Sequence, residues 1–265
     1  MTVYGVDFSG AADAGAKIRV TEAEPTSNGI RVLDCWPAGE RFGSSDREHV
    51  LPELGAFLAA RSGEDAIGLD APFALPRALH EHDDWRRFLL SFPGQFADPD
   101  DFRAKCLDRA RALDGDRVER LRVTDREHGA LCAYGFILNT AAFHAMRDVL
   151  RPLVLSESVA CPPFHAPRDD RPTLVEAYPA GTLDRLDAPR ENYKSDAAAS
   201  RARRETILDA LTDAGVDLAG VPRDRFLDDP TGDALDSALA ALTTARHHPD
   251  FAVDPVDPAE GHIFV

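Results

Sequence analysis

The sequence predicts an α/β fold, and three observations carry that expectation. Two short apolar runs, Val3-Tyr4-Gly5-Val6-Asp7 and Ala66-Ile67-Gly68-Leu69-Asp70, each finish on an aspartate. An Asn28-Gly29 pair joins two further runs of strand character. From Phe73 onward the texture turns helical, and strand character returns only at Thr173. At 265 residues with 44% hydrophobic content the chain can bury a substantial core. The expectation is one domain over residues 1–265, with 74–171 as an inserted helical region.

Val3–Phe8 is the first strand. Lys17–Ala23, with Ile18 and Val20 alternating, is the second, and Ile30–Trp36 the third. The Asn-Gly turn suits their hairpin because both residues tolerate positive φ. Asp46–Arg61 reads as a helix, since Val50, Leu51, Leu54, Phe57 and Leu58 recur at a 3.6-residue period. The fourth strand, Ala66–Asp70, closes on Ala71-Pro72. Helical stretches at Trp85–Leu90, Asp100–Leu113 and Tyr134–Leu150 then alternate with the Pro- and Gly-bearing loops Ser91–Pro99 and Cys161–Pro172. Thr173–Ala177 is the fifth strand. A helix over Ser195–Ala214 stops at Gly215. Asp229 is expected to cap a last helix with Pro230 at its first position, running to about His247. There is no internal repeat and no low-complexity tract.

Met1 opens no basic-then-apolar leader, and no run is apolar enough to span a bilayer, so a cytoplasmic protein with no membrane partner is expected. Cys35, Cys106, Cys132 and Cys161 lie far apart with no C-x-x-C pair, which argues for reduced buried thiols rather than zinc or disulfides. A net charge of −16 ordinarily speaks against nucleic acid. Here its quality matters more: the lysines are Lys17, Lys105 and Lys194 alone, the other basic residues are arginine, and aspartate far outnumbers glutamate. That pattern suits a halophilic, concentrated-salt cytoplasm, in which net charge says little about the ligand.

Acids stand where apolar strands should end in turn chemistry. Singly, Asp7 reads as an Asx-type turn before Phe8-Ser9-Gly10, and Asp70 as a cap on Ala71-Pro72. On the last helix Leu235, Ala238, Leu239, Leu242 and Ala245 form the apolar stripe. At roughly 100° per residue Asp236 borders that stripe, with Asp233 one turn earlier on the same side. The helix dipole alone accounts for Asp233. Jointly the acids are better explained as a divalent-cation site. Glu176 interrupts the buried run Leu174-Val175-x-Ala177, where a carboxylate costs several kcal/mol unless it ligates a metal or pairs with an arginine.

Several segments carry a family resemblance. Gly5-Val6-Asp7, then Ile67-Gly68-Leu69-Asp70-Ala71-Pro72-Phe73 with Leu75-Pro76, then Val175-Glu176-Ala177-Tyr178-Pro179-Ala180 resemble, in this order, the domain-of-unknown-function 429 family. Tyr193-Lys194, Asp233-Ala234-Leu235-Asp236-Ser237-Ala238-Leu239-Ala240 and Glu260-Gly261-His262-Ile263-Phe264 continue the order. That family is regarded as predicted nucleases of the ribonuclease H-like superfamily. The resemblance implies a ribonuclease H-like mixed five-stranded sheet flanked by helices, with the helical insertion between strands 4 and 5. It also implies that the first and fourth strands are adjacent, so that Asp7 and Asp70 face each other, with Asp233 and Asp236 looking at the same point.

The function expected is a Mg2+- or Mn2+-dependent nuclease with nucleic acid as its substrate. Hard oxygen ligands suit these ions, and a pair of them about 3.5–4 Å apart activates water and stabilises the leaving oxygen. Asp7 would bridge both ions, Asp70 and Asp236 would bind one each, and Asp233 or Glu176 would complete a shell. Lys194 would neutralise the scissile phosphate, or is simply exposed at a helix entry. Arg103, Arg109, Arg111, Arg117, Arg120, Arg122 and Arg126 could hold a nucleic-acid backbone, although the acids between them suggest solvated ion pairs. An ATP phosphotransferase would need a second Gly-rich phosphate loop, which the chain lacks, and there is no G-x-S-x-G elbow for a serine hydrolase. The remaining alternative is a metal- or nucleic-acid-binding module without turnover. His80, His82, His247 and His248 read as surface residues, and no protein partner is inferable.

Overall fold

The structure, a computed structural model, describes residues 1–116, 118–251, 257 and 259–265. It is an α/β protein built on a mixed seven-stranded sheet. In chain order the elements are β1 (Val3–Asp7), α1 (Ala14–Lys17), β2 (Arg19–Thr26), β3 (Gly29–Pro37), α2 (Ala38–Phe42), α3 (Arg47–Ala59) and β4 (Ala66–Asp70). Next come α4 (Trp85–Gln95), α5 (Pro99–Leu113), α6 (Val123–His128) and α7 (Asn139–His144). The last of these continues through a π-helical turn, Ala145–Leu150, into α8 (Arg151–Leu155). The chain ends with β5 (Thr173–Ala177), α9 (Pro179–Arg185), α10 (Ala198–Asp213), β6 (Val216–Asp217), α11 (Asp224–Leu227), α12 (Asp233–His247) and β7 (Ile263–Phe264). No described helix is long and apolar enough to cross a membrane.

The strand order is β6-β3-β2-β1-β4-β5-β7. The pairs β1–β2 and β2–β3 are antiparallel, whereas β1–β4, β4–β5, β5–β7 and β3–β6 are parallel. Five strands were expected. The two additions are two-residue edge strands, too short for any periodic signal, and each is recruited by the open edge of β3 or β5. The last helix starts at Asp233 rather than Pro230, because Gly232 adopts a left-handed φ of 77° that breaks the helical path. Asp229 still serves that helix, accepting from Ala234 N at 2.8 Å across the turn. In the helical region α4 runs past the expected stop at Leu90, through Pro93 to Gln95, since Phe92 and Phe96 are buried and hold its last turn in the core.

Each face of the sheet has its own core. Tyr4, Val6, Ile67, Leu69 and Leu174 share one with α3 and the helices between β4 and β5. Val3, Ala23, Ile30 and Val32 share the other with α10, α11 and α12. Because strand side chains alternate, Val3, Gly5 and Asp7 point to the α12 face while Tyr4 and Val6 point away. The helix α12 lies directly on this face. A Cβ at Gly5 would stand 2.0 Å from Ser237 O and 2.3 Å from Ala241 N, and one at Gly68 would stand 2.1 Å from Thr244 Oγ1. Gly5 and Gly68 are register partners, so two adjacent strands together form the shallow seat for the helix.

Candidate metal centre

Asp7 and Asp70 are also register partners, one residue pair beyond the last apolar pair of the parallel β1–β4 ladder. Even spacing from the glycines sends both carboxylates toward α12. Asp236, in the first turn of that helix, meets them there. Each of the three offers a carboxylate oxygen, and these oxygens lie within 4.8 Å of one another. The site is recessed: Asp7 is 9% and Asp236 2% exposed.

Crowding shows in the titration of the group. Burial first, then the charges of Asp236 and Asp233, raise Asp7 well above the usual carboxylate range, and Lys194 offsets only part of this. Asp70 is pushed up to about 8 by burial and by Asp236, against the pull of Lys194. Asp236 is the best compensated of the three. Tyr193 donates its hydroxyl to Oδ1 at 2.7 Å, and Lys194 Nζ lies 2.5 Å from Oδ2. Burial would lower the Lys194 ammonium, but Asp236, Tyr193 and Asp7 outweigh it and raise it. Lys194 is therefore ion-paired inside the site while half of its side chain stays exposed. Gly232 makes this arrangement fit, since a Cβ there would stand 2.7 Å from the Tyr193 ring.

Asp233 lies close enough to raise Asp7 but stands outside the three-carboxylate cluster; burial raises its own carboxyl, and Thr231 pulls it back. Glu176 also stands outside it. Its register partner is Leu69, whose side chain enters the opposite core, so Glu176 faces the helical region instead of α12. There Arg122 holds it in a bidentate pair, Nη1 to Oε2 at 2.7 Å and Nη2 to Oε1 at 2.5 Å, and Phe73 N donates to Oε2 at 3.0 Å. Asp125 completes the buried pairing of Arg122 at 2.7 Å. Burial still leaves the Glu176 carboxyl raised despite Arg122, and its charge adds to the rise of Asp70.

A cavity of about 660 Å³ opens onto the three aspartates. Glu176, Tyr178, Arg190, Asn192, Tyr193 and Lys194 line one part of it, and Leu131, Leu138 and Ala141 the other. Arg190 is braced by Asp184 at 2.5 Å and by donation to Tyr178 Oη at 2.8 Å. The sequence alone assigned no role to Tyr193, Asp125 or Arg190, and it offered Arg122 only as a contact to a nucleic-acid backbone, whereas the structure buries Arg122 between Asp125 and Glu176. Of the first three, only Tyr193 carried a signal, as the neighbour of a rare lysine. Among the arginines of the helical region, Arg109 pairs with Glu81, Arg111 with Asp108, Arg120 with Asp114, and Arg122 with Asp125 and Glu176. Arg126 donates to Leu121 O, and Arg117 lies outside the described residues.

A family model described as a protein of unknown function (DUF429) matches residues 153–260. Over that segment the chain is similar to the DUF429 family. The matched segment holds Glu176, Tyr193, Lys194, Asp233 and Asp236, while Asp7 and Asp70 come from the chain before it. No curated protein and no solved structure matches the chain.

Proposed function

We propose that this protein is a divalent-metal-dependent nuclease that hydrolyses phosphodiester bonds at a site held by Asp7, Asp70 and Asp236. The observation that carries the reading is the convergence of three carboxylates from β1, β4 and α12, two of them raised by burial and mutual repulsion. Their donor chemistry fits Mg2+ or Mn2+: hard oxygens only, with no sulfur and no imidazole in the cluster. A ribonuclease H-like fold is part of the proposal. It is supported by the order β3-β2-β1-β4-β5, antiparallel through β1 and parallel beyond it.

Bound there, the ion would polarise a phosphoryl oxygen and lower the pKa of a coordinated water. The side chains divide the remaining work. Asp7 and Asp70 would supply ligand oxygens, and because burial and mutual repulsion raise both carboxyls, binding a cation there would compete with protons. Tyr193 and Lys194 orient Asp236 by occupying one oxygen each. Lys194, half exposed at the cavity, can swing from Asp236 to the phosphate and balance its charge. Arg122 keeps Glu176 out of the cluster, which sets the number of carboxylates at three. Asp233 lends negative potential from the next turn. The cytoplasmic and halophilic readings of composition stand as part of the same proposal.

Calorimetric titration with Mn2+, paired with a cleavage screen on labelled single-stranded, duplex, hybrid and branched nucleic acids in high salt, tests this. Asp7→Asn should weaken Mn2+ binding at least tenfold and remove cleavage. Wild type that binds Mn2+ but cleaves nothing would leave a metal-binding module without turnover, and wild type that binds no divalent ion at millimolar concentration would end the nuclease reading and leave only a nucleic-acid-binding module.

A further inference from the structure

The turn between α6 and α7 forms part of the cavity wall and carries three apolar side chains in solvent. Phe136 is 82%, Ile137 75% and Leu131 51% exposed. The segment is tied down. Tyr134 is buried, its hydroxyl accepting from Arg120 N at 2.7 Å and donating to Val118 O at 3.2 Å. Gly135 N bonds Cys132 O, Leu138 N and Asn139 N both bond Gly135 O, and Asn139 Nδ2 reaches Pro99 O. An aromatic ring is thus held in water by a well-anchored turn, beside the aspartate cavity that Leu131 and Leu138 line. Phe136 itself lines a second cavity, of about 500 Å³, with Arg103, Arg111, Asn139 and the acids Asp100 and Asp108. Asp108 occupies Arg111, but Arg103 has no hydrogen-bond or ion-pair partner among the described residues, and its Nε is buried.

Resting on the nuclease reading, we infer that the substrate is single-stranded nucleic acid and that Phe136 is its stacking platform. A base of the strand that leaves the aspartate cavity over this turn stacks on Phe136, and a phosphate beyond it reaches Arg103. Stacking requires a base free of its duplex neighbours, and every base offers a π-face, so the platform selects single strands without selecting sequence. The recess of Asp7 and Asp236 acts in the same direction, since a lone strand can bend down to buried carboxylates more readily than a rigid duplex can. A stacking platform also suits an acidic protein, because it draws little on counterion release.

Fluorescence anisotropy with a short labelled oligothymidylate, in calcium to suppress turnover, tests the assignment. Phe136→Ala should weaken binding about tenfold, within the range measured for one stacked base. Because the ring lies in solvent, the same variant should keep the wild-type melting temperature and Mn2+ affinity. Arg103→Gln should flatten the dependence of log affinity on log salt by about 0.7, as expected for one lost phosphate contact on a single strand. Wild type that does not bind the oligonucleotide, or Phe136→Ala that binds it unchanged, overturns the inference. So does a wild-type dimer that Phe136→Ala converts to monomer, which would make the patch a contact with a second copy. Oligonucleotide binding that depends on Phe136 without any Mn2+ uptake would remove the nuclease reading alone. Cleavage that is indifferent to Phe136 would remove the stacking platform alone.

Discussion

Asp70 is the residue at which charge and stability trade most directly. Its carboxyl is pushed up to about 8, first by burial and then by Asp236, whereas an unfolded aspartate titrates near about 3.9. Between those two pH values the folded chain holds a proton that the unfolded chain has released, so stability from this group falls as pH rises. In EDTA, Asp70→Asn should therefore melt close to wild type at pH 5 and increasingly above it toward pH 9. Mn2+ should reverse the order at high pH, because only wild type gains the free energy of binding. Thermal melts at several pH values, with and without metal, check both signs. A difference that does not change with pH would mean Asp70 ionises freely in the fold and is not crowded. The same proton competition requires metal affinity to rise with pH up to about 8.

At the scale of elements, the decisive contact is α12 on the β1–β4 pair. Backbone meets backbone there because Gly5 and Gly68 carry no side chain, and Ser237, Ala240, Ala241 and Thr244 present small ones. That close approach brings Asp236 down to Asp7 and Asp70. Gly5→Ala would place a methyl carbon 2.0 Å from Ser237 O, in contact with backbone that cannot swing aside. The helix has to lift. The expected loss is roughly 3 kcal/mol in urea unfolding, at the upper end of overpacking costs. Mn2+ affinity should fall by more than tenfold in the fraction that stays folded, since a shift of a few tenths of an ångström separates ligands from different elements. A variant that is destabilised but binds Mn2+ normally would show that α12 does not set the spacing of the aspartates.

Taken whole, the chain carries −16 over 265 residues, and most of that charge is aspartate paired, where paired at all, with surface arginines. Exposed pairs of this kind contribute little individually, while mutual repulsion among the unpaired acids is long-ranged at low ionic strength and screened within about 3 Å at 1 M salt. Melting temperature should climb by about 10 °C from dilute buffer to molar KCl, roughly 3 kcal/mol for a chain of this size. Indifference to KCl would remove the halophilic reading and restore net charge as an argument against a polyanionic substrate.

The strands β1, β4 and β5, the hairpin of β2 with β3, and the aspartates at the strand ends were legible in the sequence, because alternation and turn chemistry are local properties. The chain by itself also placed Asp236 at the edge of the buried stripe of its helix. Glu176 shows where that legibility stops. Its burial could be read from its neighbours, but whether it faced a metal or an arginine depended on register with Leu69 and on Arg122, 54 residues away. The edge strands β6 and β7, the role of Tyr193 and the exposed ring of Phe136 likewise depend on partners distant in sequence. Periodicity along a chain determines which side chains leave the water. Only the packing of one element on another decides which of them meet, since that distance is set by residues, here two glycines, that leave no mark of their own on the pattern.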